Sequence, residues 1–176
     1  MQFFMVIRSY LVDLAHIYRL QRRYKEAIRI LERIQEIDKN QYGSNYDLGI
    51  NYLLMGNRQE ADRYFSAYKK IVKEEWTKKW PNDPGIYLVL ATLTARLGDM
   101  DSSKLMLQKA IEIDSTNHKR FSEVLSAQGR IPEALDELEK TLENGYRELF
   151  WLKLNPDWQP LHYDVRFRNM LDKYFK

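Results

Sequence analysis

The spacing that most constrains this chain runs from Leu48 to Phe65, LGINYLLMGNRQEADRYF. Leu48 and Tyr52 stand four apart, so they share one face of a helix. Gly49 has no Cβ and lets a second helix lie close against it. Gly56-Asn57 interrupts the helical pattern, and glycine there can take the positive φ that ends a helix. Ala61 and Phe65 are again four apart, on a second helix. Small Ala61 accepts the close approach, and Phe65 fills the space beside it. The product is an antiparallel helix pair. One pair cannot bury its apolar face alone, so neighbouring pairs have to stack.

The pattern recurs along the chain. Leu14-Ala15, Tyr18 and Ala27 stand 34 residues before Leu48-Gly49, Tyr52 and Ala61, and Leu31 replaces Phe65. A first pair is therefore expected over 8–41, its second helix carrying Ala27, Ile28, Leu31, Ile34 and Ile37 and closing at Asp38-Lys39-Asn40. The second pair spans 42–80. Its second helix runs on through SAYKKIVKEEWTKKW until Pro81-Asn82-Asp83-Pro84 ends it. Gly56 to Gly98 is 42 residues, so about two helical turns are inserted. A third pair is expected over 84–117, with Leu90-Ala91, the turn Gly98-Asp99, Thr94 in place of tyrosine and Ser103 in place of alanine. The fourth, over 118–144, turns at Gly129-Arg130. Gly98 to Gly129 is 31 residues, three short of the 34-residue spacing, a shortening expected between the repeats or in the first helix. Asn144-Gly145 stops its last helix. Residues 145–176 are not a repeat. A short helix near 148–152, an irregular stretch around Asn155-Pro156 and Gln159-Pro160, and a helix over 165–174 are expected. The last has an apolar stripe of Phe167, Met170, Leu171 and Tyr174.

These residues resemble the tetratricopeptide repeat family, whose period is 34 residues and whose signature is L-G-x2-Y…A-x3-F. The resemblance covers 8–144. It implies an all-α fold, a TPR-like right-handed superhelix of antiparallel helix pairs, about four repeats long, with 145–176 as a C-terminal capping segment. It also implies a concave groove lined by first helices, and binding of a peptide or protein partner there. The tail is similar to the closing segment after such arrays in bacterial regulators, cyclases and kinases. Trp151, Leu154, Pro156, Trp158, Pro160, Leu161, Asp164, Arg166, Phe167 and Leu171 carry that likeness, with Val165 where proline is usual.

Counted from the signature, the inward first-helix positions are Val12, His16 and Arg19, then Tyr46, Ile50 and Leu53. They continue as Leu88, Thr92 and Arg96, and as Lys119 and Glu123. Family members that capture a C-terminal carboxylate carry Asn and Lys or Arg at such places. Val12, His16 and Ile50 stand there instead, so that mode is not expected. A mixed apolar and polar groove suits an amphipathic helix or an extended segment. The alternative is a groove left empty, or filled by the chain's own tail or extended helix.

No enzyme is expected. The chain has no phosphate-binding glycine loop, no nucleophile elbow and no H-E-x-x-H. His16, His118 and His162 are scattered, and His162 with Asp164 is the only pair worth naming. No metal or cofactor is expected. Cysteine is absent, which excludes disulfides and thiolate sites and fits a reducing, cytoplasmic compartment. Net charge is +3 from 28 basic and 25 acidic residues, too balanced to argue for nucleic acid. The run Lys69, Lys70, Lys73, Lys78 and Lys79 with Trp76 and Trp80 reads as a solvated helix face, because Glu74 and Glu75 interrupt it. Tyr18, Tyr52, Phe65, Trp151 and Phe167 read as core, and the four tryptophans as packing anchors. No apolar run approaches the roughly 20 residues that span a bilayer. MQFFMVIR has no basic residue before its apolar run and no cleavage site, so it reads as the start of the first helix and not as a signal peptide. The expected role is an interaction scaffold. Self-association through Phe3, Phe4 and the open face of the first repeat is an alternative, as is a regulatory domain of a larger bacterial signalling protein.

Overall fold

The computed structural model describes residues 2–37 and 42–175, with the side chains of 2–8 excepted. The closing Asp38-Lys39-Asn40 and the Phe3 and Phe4 side chains lie outside the described residues. Helices make up the fold, and no strand occurs among the described residues. The chain forms two compact units, Met1–Ile71 and Val72–Lys176.

The first unit holds α1 (Gln2–Leu20), α2 (Tyr24–Ile37), α3 (Ser44–Leu54) and α4 (Arg58–Ile71). α2 packs against both α1 and α3, and α3 packs against α4. The expected stripe of α2 turns inward at Ala27, Ile28, Leu31 and Ile34, where it meets Ala15 and Leu48. Ile37, the fifth position of that stripe, is exposed. A Cβ at Gly49 would fall within 3.0 Å of three ring atoms of Phe65. The glycine is therefore what allows α3 and α4 their close approach. The turn between these helices has Gly56 at φ 79°. The Asn57 N–H returns to the Tyr52 carbonyl at 2.9 Å, which closes the helix end.

The second unit opens on the insertion. It is a π-helical turn, Val72–Trp76, followed by α5 (Thr77–Lys79). The helix was expected to lengthen here, but the change of pitch was not foreseen. The wider turn packs against α6 and buries Val72. Tyr87 donates to the Pro81 carbonyl at 2.7 Å and ties the following turn down.

The remaining helices are α6 (Pro84–Arg96), α7 (Met100–Ile113), α8 (His118–Ala127) and α9 (Ile131–Glu143). Three of these starts are capped by a side chain, and α9 has no such cap but carries Pro132 in its first turn. Asp83 accepts from the Gly85 N–H with Pro84 in the first turn, Asp99 accepts from the Ser102 N–H, and Asn117 accepts from the Arg120 N–H. The first helix of the last pair is the shortest, since α8 has 10 residues against 11 in α3 and 13 in α6.

The tail forms α10 (Leu149–Leu154), a 3-10 turn over Gln159–Tyr163 and α11 (Val165–Phe175). Leu152, Trp158, Leu161, Phe167 and Met170 enter one core with α6, α7, α8 and α9. Trp151 is 36% exposed and Trp80 is 45% exposed, against the expectation that all four tryptophans anchor packing. The reason for Trp151 is local. α10 is too short to have two inward positions, and Leu152 takes the one it has. Trp80 sits at the end of the extended helix, where its ring meets Lys79.

Candidate functional site

In the first unit the inward positions of α1 and α3 gather around one carboxylate. Arg19 donates to Asp47 Oδ1 at 2.8 Å, and His16 Nε2 stands 3.2 Å from the same oxygen. Arg19 is buried. Burial pushes the Asp47 carboxyl up, but the hydrogen bond and charge of His16, together with Arg19, outweigh it and hold the group below its ordinary 3.8. Val12 is half-buried against the α1–α2 core, and Tyr46 is half-buried with its ring 5.8 Å from that of Phe65. Leu53 is half-buried, whereas Ile50 is only 1% exposed.

In the second unit the corresponding positions meet the tail. Leu88 is buried in the core, and Thr92 is buried with its hydroxyl donating to the Leu88 carbonyl at 2.9 Å. Arg96 pairs with Asp157 at 2.7 Å and also reaches the Pro156 carbonyl. Glu123 accepts from Asn155 at 2.8 Å and from Arg120 at 2.6 Å. Burial pushes the Glu123 carboxyl up, and the nearby Asp157 adds to this against the pull of Arg120 and Lys119. Lys119 lies over the rings of Tyr146 and Trp158. The Trp158 indole N–H donates to Ser122 Oγ at 3.0 Å, and that hydroxyl donates onward to the Ala134 carbonyl at 2.8 Å. Asn155 to Trp158, a turn of the chain's own tail, therefore occupy this face.

Sequence reasoning missed Asp47, Ser122 and Asp157. Two of them carried a signal. His16 and Arg19, three apart on one face, require an acid opposite, and Asp47 adjoins the named Tyr46. Ser122 lies three residues beyond Lys119 on the named face. Asp157 had no such signal, since its partner Arg96 lies 61 residues away.

Among the described residues no group of histidines, cysteines and carboxylates could hold a metal ion. None of the described helices is long and apolar enough to cross a membrane. His162, named with Asp164, instead meets the Leu152 carbonyl at 2.9 Å.

A family profile for the tetratricopeptide repeat matches residues 9–41 and 84–117. Those two segments carry tetratricopeptide repeats. No curated protein matches the sequence. Among solved structures, one described as the MamA protein is 16% identical, with 95% of this chain and 85% of that one covered and a TM-score of 0.43. YrrB, described as a TPR protein with an unusual peptide-binding site, is 17% identical over 93% and 82%, with a TM-score of 0.43. A further MamA structure, MSR-1 C2, is 18% identical over 96% and 98%, with a TM-score of 0.41. The two profile matches coincide with α1–α2 and α6–α7. The repeats around Gly56 and Gly129 fall outside them. One carries the inserted turns and the other the shortened first helix.

Proposed function

We propose that this chain is a non-enzymatic scaffold that binds a peptide or partner protein on its first-helix faces. The observation that carries the reading is the asymmetry between the two units. On α6 and α8 the tail engages Arg96, Lys119 and Glu123. On α1 and α3, Val12, His16, Tyr46 and Leu53 remain partly exposed around the Arg19–Asp47 pair. A charged centre bordered by aliphatic and aromatic side chains suits an amphipathic or extended segment. Ile50, Leu88 and Thr92 then support the face from beneath. We propose residues 1–144 as the repeat array and 145–176 as its cap, since the tail shares its core with the last two pairs. The absence of cysteine agrees with a cytoplasmic setting.

The test is capture of a partner on immobilised protein, with Tyr46→Ala/Leu53→Glu as the site variant and Lys70→Glu as a control on the solvent face. Ile50→Glu is unsuitable, because charge at a position 1% exposed disrupts packing. A partner kept by the control and lost by a variant of unchanged helicity supports the reading. A partner kept by both moves the site away from α1 and α3.

A further inference from the structure

The exposed faces of α1 and α7 have complementary chemistry in matching order. On α1, Tyr10 is 71% exposed and Ile17 is 47% exposed. Asp13 is exposed between them and has no ion pair among the described residues. The three positions are three and four apart, so they form one outward stripe.

α7 borders an open groove of about 860 Å³, lined by Met100, Lys104, Leu107, Ile111, Gln128 and Arg130 among others. Leu107 is the buried floor, while Met100 and Ile111 are exposed apolar side chains. Lys104 is exposed and has no ion pair among the described residues. Arg130 adds a second cation at the rim, shared with Glu133 at 3.1 Å.

We propose that the outer face of α1 docks in the α7 groove of a second copy of this chain. Read backwards, Ile17, Asp13 and Tyr10 fall at steps of four and three. Met100, Lys104 and Leu107 fall at the same steps. Antiparallel helices bring Ile17 onto Met100, Asp13 against Lys104, and Tyr10 over Leu107 beside Ile111. Each run is about 10 Å long at the helical rise. Glu112, also at the groove, lies beyond Leu107 on α7 and takes a hydrogen bond from Gln108. It does not oppose Asp13 in this register. Because face and groove are different surfaces, two copies either exchange both contacts reciprocally and close as a dimer, or leave one face and one groove free for further copies.

The test is light scattering of the full chain over a range of concentrations, using Asp13→Lys, Lys104→Asp and a chain carrying both. All three leave buried positions untouched, and circular dichroism checks that helicity is kept. The wild type is expected to grow in mass with concentration, to the dimer or beyond it. Each single change is expected to weaken growth by about tenfold, because it sets like charges against each other. The doubly changed chain restores growth, and so does an equimolar mixture of the two singly changed chains, in which every face meets an opposite charge. A wild type that stays monomeric, growth indifferent to the single changes, or a double change that fails to restore it would each overturn the proposal. Growth abolished only by variants of the tail or of the α1–α3 inner face would place a different occupant on α7.

Discussion

Arg22 does at the first inter-helix turn what glycine does at the later ones. Its φ is 59°, beside 79° at Gly56, 85° at Gly98 and 74° at Gly129. The closing bond is the same, with the Arg23 N–H on the Tyr18 carbonyl at 2.9 Å. A side chain in this region costs about 1 kcal/mol or more, part of which glycine returns as extra freedom in the unfolded chain. Arg22→Gly is therefore expected to raise stability by about 0.5 kcal/mol in denaturant melts. The opposite experiment is Gly49→Ala, where the new methyl meets the buried Phe65 ring. It should cost about 1–3 kcal/mol, as overpacking does. Asp47 gives a pH signature. Its folded value is depressed, so its stabilising contribution is complete above the unfolded value of about 3.8 and is lost as pH falls through the folded one. Unfolding titrations of Asp47→Asn should show a flatter acid limb than the wild type. The spacing of Leu48, Gly49, Ala61 and Phe65 made the close helix approach readable from sequence. Arg22 was not readable, because nothing in its chemistry marks a left-handed backbone.

At the scale of elements, the tail is the decisive piece. Trp158 is fully buried and held by Ser122, and Asp157 is paired with Arg96. Trp158→Phe keeps most of the apolar volume and removes the donor, leaving Ser122 still bound to Ala134. It should cost about 1–2 kcal/mol. Trp158→Ala should cost about 3–5 kcal/mol, with the cavity added. Thermal melts of the pair separate the hydrogen bond from the packing. The helix ends and the α11 stripe were legible, since Phe167 and Met170 are buried and Leu171 and Tyr174 pack beside them. The seat of Asn155–Trp158 was foreseen only as one alternative among several. An irregular segment has no period, and its partners sit on helices remote in sequence. Trp151 misled for a related reason. Size argues for burial, but a six-residue helix decides by register which neighbour faces inward.

At the scale of the whole molecule, the second unit has a continuous core running from Tyr87 to Met170. The Val72–Lys176 fragment, with its π-turn packed on α6, is expected to fold alone and melt in one cooperative step. Circular dichroism of the fragment checks this, and a broad, non-cooperative melt would show that the first unit supplies missing packing. The 34-residue period and the turn residues made the order of helix pairs legible. The division at Ile71–Val72 was not legible, because it falls where helical pattern continues unbroken in sequence.

The burial of the tail also governs how a chain of this kind can lengthen. Leu152, Trp158, Leu161 and Phe167 already cover the apolar surface that the last pair would offer to a newcomer. A duplicated pair placed after the tail would not reach the surface that these residues already occupy. One inserted in the Asp114–Asn117 link, with an α6-like first helix and an α7-like second, would inherit a partner on each side and leave the terminus as it is. On the proposed reading of 145–176 as a cap, growth of the array, by descent or by design, is expected to be written upstream of it.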